Sequence, residues 1–254
     1  MRIIRCNKVF LALAASAGVL AAADALPKGD TILDKYVEAT GGKAAYAKVH
    51  NDFSTGAMEF PAMGMKGKLT AIGAEPNKRY VEIEMDGVGK ILDVTSGDLS
   101  WSLSAMQGPH VKEGEEKAQA LEQAKYNADA SWRDVYSSAE TVGVETIDGK
   151  ECYKVVLKRK TGTPVTRWFD KQSGLLIRMA QTAKTPNGDI DSVSTLSDYR
   201  KEGDLLIPHK VDLQAGPMAM VITIDSVKQN VEIPKEKFDA PDEIKALMKK
   251  PEAK

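Results

Sequence analysis

The side chains that most often carry out catalysis are few in this sequence and widely spaced. His50, His110 and His209 stand singly, and none has a second ligand at the spacing of a metal site. Cys152 lies in a strand-like stretch, where a lone cysteine is more often a small buried apolar residue than a nucleophile. We therefore expect no metal centre, no cofactor and no nucleophile at these positions.

Motifs for nucleotide binding and acyl transfer are missing from the sequence. It contains no G-x-S-x-G elbow, no P-loop and no G-x-G-x-x-G, and the glycine-containing stretch 63–67 has the spacing of a turn. Acidic residues such as Glu82 and Glu84 alternate with apolar ones, which is typical of a solvent-facing strand side. A catalytic carboxylate pair assembled from distant segments stays open as an alternative. The sequence favours a protein that is not an enzyme.

Methionine is the residue type that stands out. The chain has 10 methionines, and most of them, such as Met58 and Met65, lie on or beside predicted strands. The flexible, polarizable methionine side chain adapts to apolar shapes of varying geometry. This favours a surface for a lipid-like or peptide-like ligand. The alternative is that these residues only fill gaps in an ordinary core.

Alternation of apolar and polar residues predicts β-strands over most of the chain, from 51 to 233. Val81, Ile83 and Met85, for example, alternate with acidic residues, and turn signals such as Ile147-Asp148-Gly149 separate the segments. We expect antiparallel strands that pair with their sequence neighbours, with one apolar face and one wet face.

Two helical segments are expected to cover that apolar face. One begins at Asp30 and ends at Gly41-Gly42, and the other is an insertion from about 114 to 138. An extended apolar sheet face does not stay exposed, so these helices should pack on it. After Pro241 the sequence becomes a polar, lysine-rich tail, whose last residues are expected to fray.

The predicted fold class is α+β, mainly β, with a single strongly curved antiparallel sheet that the helices cover. The insertion from about 114 to 138 would form part of this cover. In a curved sheet one parity of each strand faces inward. The predicted ligand-binding residues, expected to face inward beneath the helices, are Val81, Ile83, Met85, Trp101, Leu103, Ile177, Met179, Met218, Met220 and Ile222.

The first 25 residues predict a cleaved secretory signal peptide. Arg2 and Arg5 precede an apolar run from 9 to 23, and Ala23-Asp24-Ala25 offers the small-x-small pattern of a cleavage site. The run is short for a bilayer span, although an uncleaved anchor is the alternative. We expect an exported domain, 26–254, without a transmembrane segment and with a single cysteine, which excludes an intrachain disulfide.

The charge of the chain is balanced, with 35 basic and 36 acidic residues dispersed along it. Proteins that bind nucleic acid or an anionic membrane surface usually carry a basic patch. Neither is expected as the main partner of this chain.

Several segments spread over nearly the whole mature chain share their order and motifs with a known family. They are the helix around Tyr36-Val37-Glu38-Ala39, the strand from Gly67-Lys68-Leu69 to Glu75-Pro76-Asn77-Lys78, the stretches 91–101 and 166–174, and the end of the last strand at 233–238. In these segments the chain resembles the periplasmic outer-membrane lipoprotein carrier (LolA/LolB-like) superfamily, as a divergent member. None of the segments is a catalytic signature, and one departure is Glu75, which stands where the carrier has an arginine that ties its lid helices shut.

The resemblance implies an open, unclosed β-barrel capped by helices around a hydrophobic cavity, with residues from about 114 to 138 as the helical lid and the ten inward-facing residues as the cavity lining. It also implies a soluble periplasmic carrier or binder of a lipoprotein, a lipid or another apolar ligand, held in that cavity without a cofactor. Its partners would be the apolar ligand or a lipidated protein, with other envelope proteins as further candidates. The alternative is an envelope sensor or protein-interaction module on the same fold that transfers no cargo, because one fold hosts many functions.

Overall fold

The computed structural model describes residues 25–160, 162–185 and 188–249. The predicted signal peptide, 1–25, therefore lies outside the described residues except for Ala25. Two short 3-10 helices, Pro61–Met63 and Lys235–Phe238, accompany the α-helices. The α-helices of the described residues are α1 Gly29–Ala39, α2 Lys43–Tyr46, α3 Gly114–Gln123, α4 Trp132–Val135 and α5 Asp242–Met248.

The described strands form a single 13-stranded antiparallel sheet. Its order is β6-β5-β4-β3-β2-β1-β13-β12-β11-β10-β9-β8-β7. Strands that follow one another in sequence are paired, as expected, except for β6 and β7, and β1 pairs with β13. The edges β6 and β7 are not paired with each other in this order, so the predicted open antiparallel sheet is confirmed. The strands are β1 Asn51–Phe60, β2 Met65–Ala74, β3 Lys78–Met85, β4 Gly89–Ser96, β5 Leu99–Ser104, β6 Gly108–Val111, β7 Tyr136–Ile147, β8 Lys150–Arg159, β9 Val165–Asp170, β10 Leu176–Thr185, β11 Gly188–Glu202, β12 Leu205–Ala215 and β13 Met218–Gln229.

The hairpin between β7 and β8 shows how local sequence sets the strand register. Ile147 pairs with Lys150, so the loop consists of Asp148 and Gly149 alone. Both residues have positive φ, 49° and 80°, as a type I′ turn requires. The predicted turn is therefore present, and the aspartate and glycine at its tip tolerate the left-handed backbone.

The two faces of the sheet are distinguished by the helices that pack on them. On β2, a Cβ added at Gly73 would lie 3.0 Å from the ring of Tyr126, in the segment between α3 and α4. On β9, Phe169 packs against Tyr36 of α1 with ring centroids 5.5 Å apart. We call this side the inner face and the opposite side the outer face.

The helical insertion is shorter than predicted and is broken in the middle. α3 ends at Gln123 and α4 ends at Val135, and residues 124–131 between them are turns. Tyr136 already pairs with Arg159 as the first residue of β7. Residues 136–138 therefore belong to the sheet, because their backbone groups bond to β8 and not within a helix.

The outer face has a core of its own, which corrects two sequence expectations. Ile244 of α5 is 0% exposed and packs with Phe238 against the outer side chains of β3, β4 and β5. The segment after Pro241, expected to be a polar tail, is thus a docked helix as far as Met248, and the last residues, 250–254, which were expected to fray, lie outside the described residues. The outer face is likewise not wet along its whole length, since Tyr80 and Val94 are buried there.

Candidate functional site

Apolar side chains lie next to one another across the inner face in the middle of the sheet. Cross-strand pairing places Met58 opposite Ile222 on one side and opposite Gly67 on the other. Gly67 in turn pairs with Met85. We call this group the apolar strip; its members are Met58, Leu69, Val81, Ile83, Met85, Ile91, Met220, Ile222 and Ile224.

Much of the apolar strip is only half-buried, although the same strands carry charged side chains on their outer face. Met58 and Leu69 are buried, whereas Met220 and Ile222 remain half-buried. On the outer face, Lys66 Nζ lies 2.6 Å from a carboxylate oxygen of Glu59 on the neighbouring strand. The inner side of these strands thus offers apolar area that no described element fully covers.

Five of the predicted cavity residues come together in the apolar strip. They are Val81, Ile83, Met85, Met220 and Ile222.

Two further predicted residues share the inner face but lie outside the strip. Met179 packs against the core beneath α1, and it is linked to Met220 through successive cross-strand pairs with Ser194 and Leu213. Met218 has the same parity as Met220 but is 46% exposed at the start of β13.

Trp101 and Leu103 were predicted to line the cavity and do not. Trp101 pairs with Val94, which pairs with Tyr80, and all three belong to the outer core under Phe238. Leu103 has the same parity and packs against that core. The prediction was wrong because β5 turns its apolar parity toward the C-terminal segment and its serines inward.

Ile177 also lies on the outer face, contrary to the prediction. The register of β9 and β10 shifts between Leu176 and Arg178, which marks a bulge. Such a bulge adds one residue and changes the parity of the strand. Ile177 consequently packs with Trp168 and Cys152 on the outer side, while Met179 still points inward.

A cleft of about 560 Å³ lies between the inner face and the segment that joins α3 to α4. It receives side chains from both halves of the sheet, among them Arg79 from β3 and Gln181 from β10. We call it the polar cleft; it is lined by Tyr46, Asp52, Arg79, Glu122, Gln123, Lys125, Tyr126, Asn127, Ala128, Asp129, Val135, Tyr136, Arg159, Arg167, Met179 and Gln181.

Two arginines of the sheet pair with two carboxylates of the lid across the polar cleft. Arg159 Nε lies 2.8 Å from an oxygen of Glu122, and Arg167 Nη1 donates to Asp129 over 2.8 Å. Arg167 Nη2 also donates to the hydroxyl of Tyr136 at 3.1 Å. Burial raises the pKa of Glu122, although the charge of Arg159 opposes that change. These pairs join the lid to the sheet.

The segment 124–131 is also held by backbone groups. The Tyr126 N–H donates to the carbonyl of Pro76 at 3.1 Å, and the Asn127 side-chain amide donates to the carbonyls of Tyr46 and Val49. The carboxylate of Glu75 lies 2.9 Å from His50 Nδ1 at the surface. The lid is therefore fastened by the carbonyl of Pro76 and by contacts to Tyr46 and Val49.

Sequence reasoning missed the residues of the polar cleft. Two of them could have been recognised from the alternation. Arg159 follows Val155 and Leu157 at alternate positions that face inward. Arg167 lies between Val165 and Phe169, which also face inward. A basic residue in a buried apolar row needs a partner or a ligand. The partners on 122–129 come from a distant segment and leave no local pattern.

The residues considered for catalysis do not form a common site. His110 Nε2 lies 2.8 Å from Glu116, and His209 is buried with Nδ1 2.8 Å from the carbonyl oxygen of Ile224. Cys152 is buried, and burial raises the pKa of its thiol. Within 25–160, 162–185 and 188–249, no three His, Cys, Asp or Glu side chains are grouped so as to hold a metal ion. Nor does any described helix have the length and apolar character needed to cross a membrane.

No protein-family model and no curated protein matches the chain. Solved structures do. A DUF1329 family protein from Desulfovibrio piger aligns with a TM-score of 0.58 at 15% identity, over 84% of this chain and 98% of that one. A LolA superfamily protein from Nitrosomonas europaea aligns with a TM-score of 0.55 at 13% identity, over 85% and 99%. A putative outer membrane lipoprotein-sorting protein domain from Vibrio parahaemolyticus aligns with a TM-score of 0.53 at 12% identity, over 87% and 98%. The chain therefore shares the fold of these three structures, an open, curved antiparallel sheet, at a sequence identity of 15% or less.

Proposed function

We propose that this protein is a periplasmic binder and carrier of an apolar ligand, a lipid or the acyl chains of a lipoprotein, which it holds on the apolar strip. The observation that carries the proposal is the row of half-buried apolar side chains around Met220 and Ile222, on strands whose outer side is charged. Soluble proteins rarely leave a contiguous apolar surface exposed to water unless it binds something. An acyl chain laid across the strip would complete its burial.

The energetics suit reversible carriage. Each methylene that the strip removes from water contributes about 0.8 kcal/mol. A bilayer offers the same chain a comparably apolar environment, so transfer between membrane and protein is nearly balanced. The methionines favour acceptance of chains of different shape, because their side chains repack at low cost. This function needs binding alone, so we propose a carrier rather than an enzyme.

The proposal is supported by two further points. The N-terminal sequence has the charged start, apolar run and small-x-small pattern of a signal peptide, which supports an exported chain that would meet envelope lipids. The fold is shared with a LolA superfamily protein and with a putative outer membrane lipoprotein-sorting domain. A sensor on the same fold would bind no acyl chain, which the following experiment distinguishes.

The test compares two lysine substitutions at adjacent positions of β13. Ile222→Lys puts an ammonium on the inner face, whereas Val221→Lys puts one on the outer face, opposite Asp212 and Glu59. We expect Ile222→Lys to weaken the binding of a fluorescent fatty acid at least about tenfold, which corresponds to ~1.4 kcal/mol, and Val221→Lys to leave it within about twofold.

Circular dichroism and thermal unfolding serve as the folding control for both variants. If Ile222→Lys does not fold, Met220→Lys takes its place, because Met220 is also a half-buried inward position and lies nearer the exposed start of β13. A folded inner-face variant that binds the probe as tightly as Val221→Lys would refute the proposed site.

A further inference from the structure

The apolar strip and the polar cleft are joined by one row of cross-strand neighbours. Met220 pairs with Leu213, Leu213 with Ser194, and Ser194 with Met179. Met179 in turn pairs with Arg167, which lines the polar cleft. Four strand spacings of about 4.8 Å give a length of about 19 Å along this row. A ligand lying on it would have an apolar end at the strip and a polar end at the arginine.

Basic groups outnumber acidic ones around the polar cleft, where four basic side chains face three carboxylates. Arg159 is only 8% exposed, and its Nη2 donates to the side-chain oxygen of Gln181 at 2.7 Å. Arg167 Nε is buried and has no hydrogen-bond partner within the described part of the chain. A guanidinium offers a fork of donors that fits a carboxylate or a phosphate.

The carboxylates that pair with these arginines come from the lid and not from the sheet. Glu122 is in α3, and Asp129 is in the turn that follows it. Because burial raises the pKa of Glu122, that group takes up a proton more readily than an ordinary glutamate and then holds Arg159 less strongly. An anionic group of a ligand placed where a lid carboxylate now lies would accept hydrogen bonds from the same arginine, Arg159 or Arg167.

We propose that the ligand is an amphiphile with an anionic head group, a carboxylate or a phosphate, which binds Arg159 and Arg167 while its acyl chain runs along Met179 and Leu213 to the apolar strip. This inference rests on the proposed function and names the ligand class of that site. Binding of the head group displaces Glu122 and Asp129, so the lid carboxylates compete with the ligand. Removing one of these carboxylates should therefore strengthen ligand binding. If the ion pairs were purely structural, their removal would bring no such gain.

The test uses cis-parinaric acid and its methyl ester, two intrinsically fluorescent probes with the same chain and a different head-group charge. The wild type should bind the acid about tenfold more tightly than the ester. Asp129→Asn and Glu122→Gln should each increase the affinity for the acid about threefold or more and leave that for the ester unchanged. Arg167→Gln should reduce the affinity for the acid to that for the ester; if that variant does not fold, Arg159→Gln and the two lid variants decide.

The outcomes separate this inference from the proposed function. Equal affinity for the acid and the ester, with no gain in affinity for the acid in the lid variants, would overturn the proposal of an anionic head group. The apolar strip would then remain as the proposed site. Binding of neither probe would contradict the proposed function itself. If the acid is preferred, competition by a monoacylglycerol phosphate against a fatty acid of equal chain length tells which anion is held better, with the neutral monoacylglycerol as control.

Discussion

Buried charged and polar side chains are the most distinctive residues of the inner face. A buried ion costs several kcal/mol of desolvation unless close partners compensate for it. Arg159 and Arg167 each have a carboxylate at 2.8 Å and a second, neutral acceptor. These contacts explain how two arginines are tolerated in apolar rows. They also make the lid carboxylates part of the stability of the closed protein.

Asp52 is a half-buried carboxylate whose ionisation should oppose folding. It accepts hydrogen bonds from Tyr126, Ser54 and the backbone of Gly73, but desolvation dominates and raises its pKa. A raised pKa in the folded state contributes stability below the unfolded pKa of about 3.9, and that contribution is lost as the pH rises through the folded value. Asp52→Asn should therefore be more stable than the wild type at neutral pH.

This advantage of Asp52→Asn should shrink as the pH falls toward about 4, because the carboxyl group of the folded wild type takes up a proton before that of the unfolded chain does. Urea unfolding of both proteins between pH 4 and 7 measures the difference. Asp52→Glu, which keeps the ionisable group, is the matched control. An Asn variant that is less stable at pH 7, or a difference that does not change with pH, would contradict this account.

At the scale of elements, α5 stabilises the half of the sheet that α1 does not reach. Ile244 is buried against the outer core, whereas Met248 of the same helix is 54% exposed. We expect Ile244→Ala to lower the free energy of unfolding by about 2–5 kcal/mol and Met248→Ala by less than about 0.5 kcal/mol. Urea unfolding tests both. Equal effects would mean that α5 does not dock in solution.

Alternation predicted most of the strands and their neighbours, but it does not say which face a given strand turns toward which helix. β3 was assigned correctly because Val81, Ile83 and Met85 alternate with acids that need water. β5 was not, since its serines tolerate either face and the decision rests with Ile244, about 140 residues further along the chain. The bulge before Arg178 depends on backbone register, which side-chain alternation does not encode.

The candidate site was predictable in its apolar half only. Rows such as Met218, Met220 and Ile222 are local patterns and were found. The polar cleft is assembled from α2, β1, β3, β7, β8, β9, β10 and the lid. Its two lid carboxylates, Glu122 and Asp129, lie in a segment that looks like an ordinary surface helix. Only the folded chain brings them within 2.8 Å of their arginines.

For the whole molecule, the curved sheet has an apolar strip and a polar cleft on one face, joined by a row about 19 Å long. The open edges β6 and β7 leave this face unclosed. The central claim is that an acyl chain binds there. The methionines are natural reporters, because some line the inner face and others, Met106 and Met248, are exposed elsewhere at 77% and 54%.

The most direct measurement is a titration of methyl-¹³C-methionine-labelled protein with a fatty acid, followed by NMR. The account predicts that the methyl signals of Met58, Met85 and Met220 shift in a saturable manner, while those of Met106 and Met248 stay in place. Shifts confined to the two exposed methionines, or inner-face signals that do not move at a saturating concentration of the fatty acid, would contradict it.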